Sequence, residues 1–125
     1  MPDTVVFIVC EDAQFRQSVK QLVESVGLRT ATFPTLQALL DAVESSSRGC
    51  LVFYPENNTL DDPAQQVRLA ALCAGRSGIL ITERGNVSAA VQALKAGISD
   101  VVQKPYRDRD LLEQILKVLE ANATV

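Results

Sequence analysis

The chain has 125 residues, with 12 Lys and Arg against 15 Asp and Glu, a net charge of −3 and a pI near 4.9, a balance that argues against this domain gripping nucleic acid. Hydrophobic residues make up 47% and charged ones 22%, ordinary for a soluble globular domain, and no apolar run approaches the ~20 residues of a bilayer span. With no histidine, Ser–His and Cys–His catalysis are excluded, and the three cysteines, Cys10, Cys50 and Cys73, lie in apolar runs without zinc spacing. An odd number of such cysteines, behind a start that lacks a signal peptide's basic residues, predicts reduced thiols in a cytoplasmic protein.

Val5 to Val9 is an unbroken apolar run and predicts a central strand, with Cys10, Glu11 and Asp12 at its carboxyl end. A helix follows, with Phe15, Val19, Leu22, Val23 and Val26 at helical spacing, Asp12 as its cap and Gly27 as its stop. Arg29 to Phe33 alternates polar with apolar and predicts an edge strand. Leu36, Leu39, Leu40 and Val43 stripe a second helix, and 45–49 is a loop. Cys50 to Tyr54 is the next apolar strand. Pro55 cannot donate to a ladder, so it ends that strand and leaves Tyr54 at the carboxyl end, ahead of a polar loop over 56–59.

Asp61-Asp62-Pro63 predicts a helix start, and Val67, Leu69, Ala71 and Leu72 give that helix a weak stripe ending by Gly75. Ile79-Leu80-Ile81 is a buried strand leading into a loop at Thr82 to Gly85. Asn86 caps a helix expected to turn Val87, Ala90, Val91 and Leu94 inward, with Gly97 closing it. Asp100 to Gln103 is a last strand, followed by Lys104-Pro105-Tyr106. The last helix carries Leu111, Leu112, Ile115, Val118 and Leu119. Residues 1–120 read as one domain and 121–125 as a tail or the start of a linker. Five strands alternating with five helices through short connections specify a doubly wound α/β domain with a parallel sheet. In such sheets chemistry gathers outside the carboxyl ends of the strands, which puts Cys10, Glu11, Tyr54, Thr82 and Lys104 on one rim.

The order and spacing of these positions resemble the receiver domain of bacterial two-component response regulators across essentially the whole chain. The resemblance is carried by Leu80-Ile81-Thr82, by the run from Ala90 to Asp100 and by Gln103-Lys104-Pro105-Tyr106. The run from Val87 to Pro105 is most similar to receivers that precede LuxR-type DNA-binding domains. The resemblance implies a CheY-like, flavodoxin-like (βα)5 fold with a five-stranded parallel sheet in the order 2-1-3-4-5, and a cis Lys104–Pro105 bond. It also implies roles. Two acidic residues after the first strand help hold Mg²⁺, and an aspartate ending the third strand takes a phosphoryl group. A threonine or serine after the fourth strand and a lysine after the fifth then respond to it. Thr82 and Lys104 match these positions. Cys10 and Glu11 stand at the acidic pair, Tyr54 at the acceptor, and Val101 where active relatives carry an aromatic switch residue.

These departures predict a degenerate receiver. Mg²⁺ needs near-octahedral oxygen ligands at about 2.0–2.1 Å, which a thiol and a phenol do not supply, so no cofactor is expected and Mg²⁺ binding should be weak or absent. A phenol also cannot form an acyl phosphate. The expected module is therefore not an enzyme. It signals within a phosphorelay without being phosphorylated, and controls transcription if an output domain is attached. The expected partner is another protein or a second copy, met on the face of the fourth helix, fifth strand and fifth helix, with Lys95, Val101, Gln103, Tyr106, Arg107 and Arg109 as its residues. No nucleic acid and no membrane are expected.

Plainer readings accompany each position: Tyr54 as a plug in the vacated pocket, Cys10 as a small buried residue, Thr82 as a strand-end threonine. Lys104 is expected to find Glu11, because a cation left without its anions seeks a carboxylate. Two other functions stay open. Cys10, between a strand end and a helix amino terminus where a thiol pKa falls, could serve a thiol-based redox regulator. A small flavodoxin-like ligand-binding protein is the other, although acidic Glu11 and Asp12 replace a glycine-rich phosphate loop.

Overall fold

A computed structural model describes residues 4–43, 48–56 and 58–123. The strands are β1 (Val5–Cys10), β2 (Arg29–Phe33), β3 (Gly49–Tyr54), β4 (Ser77–Thr82) and β5 (Asp100–Gln103). The helices are α1 (Ala13–Glu24), α2 (Leu36–Ala42), α3 (Pro63–Cys73), α4 (Val87–Ala96) and α5 (Asp108–Ala123). All pairings are parallel, and the sheet order is β2-β1-β3-β4-β5. The Lys104–Pro105 bond is cis, as the resemblance implied.

Side chains alternate across a strand, so an all-apolar strand needs cover on both faces. Phe7, Val9, Leu51, Phe53 and Leu80 point into one core with α2, α3 and α4. Val6, Ile8, Cys50, Val52, Ile79 and Ile81 point into the other, closed by Val19 and Val23 of α1 and Leu111, Ile115 and Val118 of α5. Each large side chain buried this way is worth roughly 1.5–3 kcal/mol. Val5 stands opposite Gly49, where an added Cβ would lie 2.0 Å from the Val5 carbonyl oxygen, so no larger residue fits.

Local signals set the helix ends. The Asp12 carboxylate accepts from the amides of Gln14 and Phe15, Asp62 caps α3 ahead of Pro63, and Asn86 caps α4 through the Ala89 amide. Gly97, at φ 108°, stops α4 in the left-handed region that glycine enters without strain. A 3-10 turn at Thr59–Asp61, which buries Leu60, precedes α3 and was not expected. Helix α5 continues to Ala123. The remaining tail positions, 124–125, and the loop positions 45–47 and 57 lie outside the described residues.

Two helix faces differ from expectation. On α4 the buried residues are Ala89 and Ala93, while Val87, Val91 and Leu94 are 67%, 40% and 53% exposed. On α3, Leu69 and Leu72 are buried, whereas Val67 and Ala71 face outward. Small alanines let α4 lie close to its neighbours, so packing selects them over the larger valines. Val26 is also exposed, because α1 ends at Glu24 before reaching it. Among the described residues no helix is long and apolar enough to cross a membrane.

Leu111→Ala should lower the free energy of unfolding by about 2–5 kcal/mol, since it empties a fully buried site. Val67→Ala, at the exposed position, should change it by less than about 0.5 kcal/mol. Urea unfolding curves compare the two, and equal losses would show that α3 buries the face first expected.

Candidate functional site

Strand ends build the site. Cys10 lies in register with Tyr54, and Thr82 with Gln103, so the carboxyl ends of β1, β3, β4 and β5 form one rim. Pro55 terminates β3 and leaves the Tyr54 ring half-buried over that rim. The ring packs on Phe15 of α1, with centroids 4.8 Å apart and planes inclined by 52°. Helical spacing marks Phe15 as part of a packing stripe; the structure also makes it one wall of the site.

Lys104 reaches over both rings, with Nζ 4.7 Å from the Phe15 centroid and 4.5 Å from that of Tyr54. A cation at that distance from a half-buried ring gains roughly 0.5–2 kcal/mol. Nζ also donates to the Tyr54 hydroxyl oxygen at 3.3 Å, and the Tyr54 O–H donates to Glu83 Oε1. Lys104 Nζ and Glu83 Oε1 are 3.9 Å apart. Their side chains are 33% and 53% exposed, so the pair contributes at most about 1 kcal/mol. The carboxylate expected for Lys104 was Glu11, and this is corrected: its ion-pair partner is Glu83. In the sheet order β1 and β5 are separated by β3 and β4, and the Tyr54 ring rises between them. Glu83, on the loop directly after β4, is the nearer acid.

Around this centre, Thr82 is buried, and its hydroxyl donates to the Glu83 carbonyl at 3.5 Å. The Lys104 amide donates to the Thr82 carbonyl at 2.8 Å, joining the two strand ends. The Cys10 side chain is buried, and its carbonyl accepts from Arg16 Nη1 at 2.5 Å. Burial pushes the Cys10 thiol pKa up, with Asp12 adding to the rise and a backbone hydrogen bond opposing it. A reactive thiolate needs the opposite direction. Glu11 turns to the Glu56 side chain. The hydrogen bond between their carboxyls, with desolvation, raises the Glu11 pKa. Cys10, Asp12, Tyr54, Pro55, Glu56 and Glu83 line an open cleft of ≈ 400 Å³.

This donor set does not fit a magnesium ion. The Cys10 thiol is buried and protonated, Asp12 is occupied in capping α1, and the phenol keeps its proton and donates it in a hydrogen bond to Glu83. Among the described residues, no group of three or more His, Cys, Asp or Glu side chains is arranged to hold a metal.

The remaining predicted positions lie away from the cleft. Val101 is half-buried against the core that holds Leu80, its register partner. Lys95 is in the last turn of α4, where its charge suits the helix carboxyl end. Gln103, Arg107 and Arg109 are exposed, and Arg109 Nε lies 4.0 Å from Glu113 Oε1. Tyr106 packs against the core closed by α1 and α5.

Both tyrosines should resist ionisation. Burial, then the hydrogen bond and charge of Glu83, raise the pKa of Tyr54 well above 10.0, and burial, then Asp108, push Tyr106 up to about 12. In the unfolded chain both lose their protons near pH ~10. Above that pH the folded state binds more protons than the unfolded one, so stability is full below it and falls as pH rises. Spectrophotometric titration at about pH 11 should show little tyrosinate in the native protein and mostly tyrosinate in urea. Equal ionisation in the two states would contradict this geometry.

Comparison with known proteins agrees with the fold. The family model for the response regulator receiver domain matches residues 6–116. The response regulator protein TmoT of Ectopseudomonas mendocina is 36% identical over 121 residues, covering 94% of this chain and 54% of that protein. The transcriptional regulatory protein FixJ of Bradyrhizobium diazoefficiens is 32% identical over 110 residues, covering 88% and 54%. The chain thus spans about half the length of the curated relatives it matches. Among solved structures, the response regulator StyR superposes with a TM-score of 0.81 at 29% identity, over 98% of this chain and 62% of that one. FixJ-N gives 0.78 at 28%, over 96% of each. With its sheet order and its paired strand ends, this chain belongs to the response regulator receiver domain family.

Proposed function

We propose that this receiver domain signals without a phosphoryl switch and acts by binding another protein or a second copy of itself. One observation carries the reading: the residue ending β3 is Tyr54, whose hydroxyl is engaged by Glu83 and Lys104. A phenol forms no mixed anhydride, and with a thiol at Cys10, Asp12 capping α1 and Glu11 hydrogen-bonded to Glu56, the donors left support weak Mg²⁺ binding or none. Thr82 and Lys104 then serve as parts of the packed rim. The module is not an enzyme on this reading, and its place is the cytoplasm.

The proposed contact surface is the α4-β5-α5 face. β5 is an edge strand between helices on opposite sides of the sheet, so its outer backbone groups are open to pairing. Beside it, α4 exposes Val87, Val91 and Leu94, and α5 exposes Leu116. Lys95, Gln103, Arg107 and Arg109 supply a polar rim, with Val101 and Tyr106 bracing β5 from within. Because relatives of about twice this length are transcriptional regulatory proteins, as with FixJ and TdiR, we extend the proposal to control of an attached output domain.

Purified protein given Mg²⁺ and acetyl phosphate should gain no acid-labile phosphate. Beryllofluoride should leave its association state unchanged. Tyr54→Asp alone should restore little, since Cys10 still supplies no carboxylate, whereas Cys10→Asp with Tyr54→Asp should label measurably. Near-stoichiometric labelling of the unmodified chain would sink the proposal.

A further inference from the structure

The loop between β4 and α4 is held at both ends by its own backbone and in the middle by side chains from elsewhere. Glu83 is the pivot. Its carbonyl accepts from the Asn86 amide at 3.1 Å, closing the turn that leads into α4. Asn86 in turn caps the helix, its side chain accepting from Ala89 N at 3.2 Å and its carbonyl from Ala90 N at 3.4 Å. The Glu83 carboxylate accepts from the Tyr54 hydroxyl and pairs with Lys104 at 3.9 Å. One residue therefore links the rim to the first turn of α4, and that helix carries the exposed Val87, Val91 and Leu94.

We propose that Tyr54, Glu83 and Lys104 form an internal clamp that holds the β4–α4 loop down on the strand ends and so limits opening of the α4 amino-terminal turn. The three groups stand at the ends of three different strands: Tyr54 ends β3, Glu83 follows β4 and Lys104 follows β5. The phenol donates to the acid and receives from the amine, so each side chain of the trio is joined to the other two. The Lys104 ammonium is further fixed between the Phe15 and Tyr54 rings, which keeps the anchor in place when Glu83 lets go. With every component built into the chain, the posture of α4 depends on no added group. The clamp bears on binding only under the protein-contact reading above. That reading is tested by phosphate labelling and the clamp by the motion of the helix, so either fails without the other.

Amide hydrogen exchange at Asn86, Val87, Ala89 and Ala90 reads the clamp directly. Tyr54→Phe keeps the ring and removes the hydroxyl; Glu83→Ala removes the acid. Each should speed exchange at these amides by about fivefold, the effect of losing one ordinary hydrogen bond. The double variant should exchange no faster than the faster single one, because both changes break the same link. Glu56→Gln, which alters the same cleft on the Glu11 side, should leave the rates as they are. Unchanged rates in both single variants would overturn the clamp. So would a rise shared equally by the core amides of β1 and β3, or an equal rise in Glu56→Gln.

Discussion

β3 runs between β1 and β4 with Leu51 and Phe53 buried on one side and Cys50 and Val52 on the other. A strand covered on both faces cannot shift by one residue without exchanging its two sets of side chains, so its register is fixed. That register, with Pro55 as a hard stop, determines which residue emerges at the centre of the rim. Tyr54 emerges there, and the neighbouring ends bring Phe15, Glu83 and Lys104 around it. The same double burial lets α1 and α5 close one face and α2, α3 and α4 the other.

A half-buried phenol is a different centre from a carboxylate. It is uncharged over the ordinary pH range, offers one proton, and brings a ring against which other groups pack. Lys104 answers the ring as much as the oxygen, and the Glu83 carboxylate accepts the phenol's hydrogen bond. The arrangement joins three polar side chains to one another beside an open cleft whose surround (Glu11, Asp12, Glu56 and Glu83) is acidic. Glu11 and Glu56 settle their proximity by a hydrogen bond between carboxyls, which relieves the repulsion of like acids standing close.

Much of this could be read from the residues. Unbroken apolar runs marked β1, β3 and β4, alternation marked β2 as an edge, and Asp12, Asp62 and Asn86 marked helix starts that the structure places where expected. The inward face of α4 could not be read, because Ala89 and Ala93 recur at the same helical period as Val87, Val91 and Leu94. Periodicity shows that a helix has two faces; closeness of approach, a property of the whole fold, chooses the smaller. The partner of Lys104 was hidden for a similar reason. A loop glutamate one residue beyond Thr82 has no spacing signature, and its reach depends on where Tyr54 puts its ring. Phe15 served two purposes at once, and a helical stripe reveals only the packing one.

The parallel pairing of β1 with β3, in which Val5 meets Gly49, also bears on how the chain reaches its native state. Two strands and two helices are synthesised before the central pair can join, and all of the intervening chain must be gathered for the first rungs of that ladder. Loop closure of this kind comes before its reward, so topologies rich in distant contacts form more slowly than helical bundles of equal size. Meanwhile the run from Cys50 to Phe53 is an exposed, uncharged, strand-forming segment. Its greatest hazard is therefore kinetic, during the interval before β1 and β4 flank it, when the same apolar character that later fixes the register can pair with another chain.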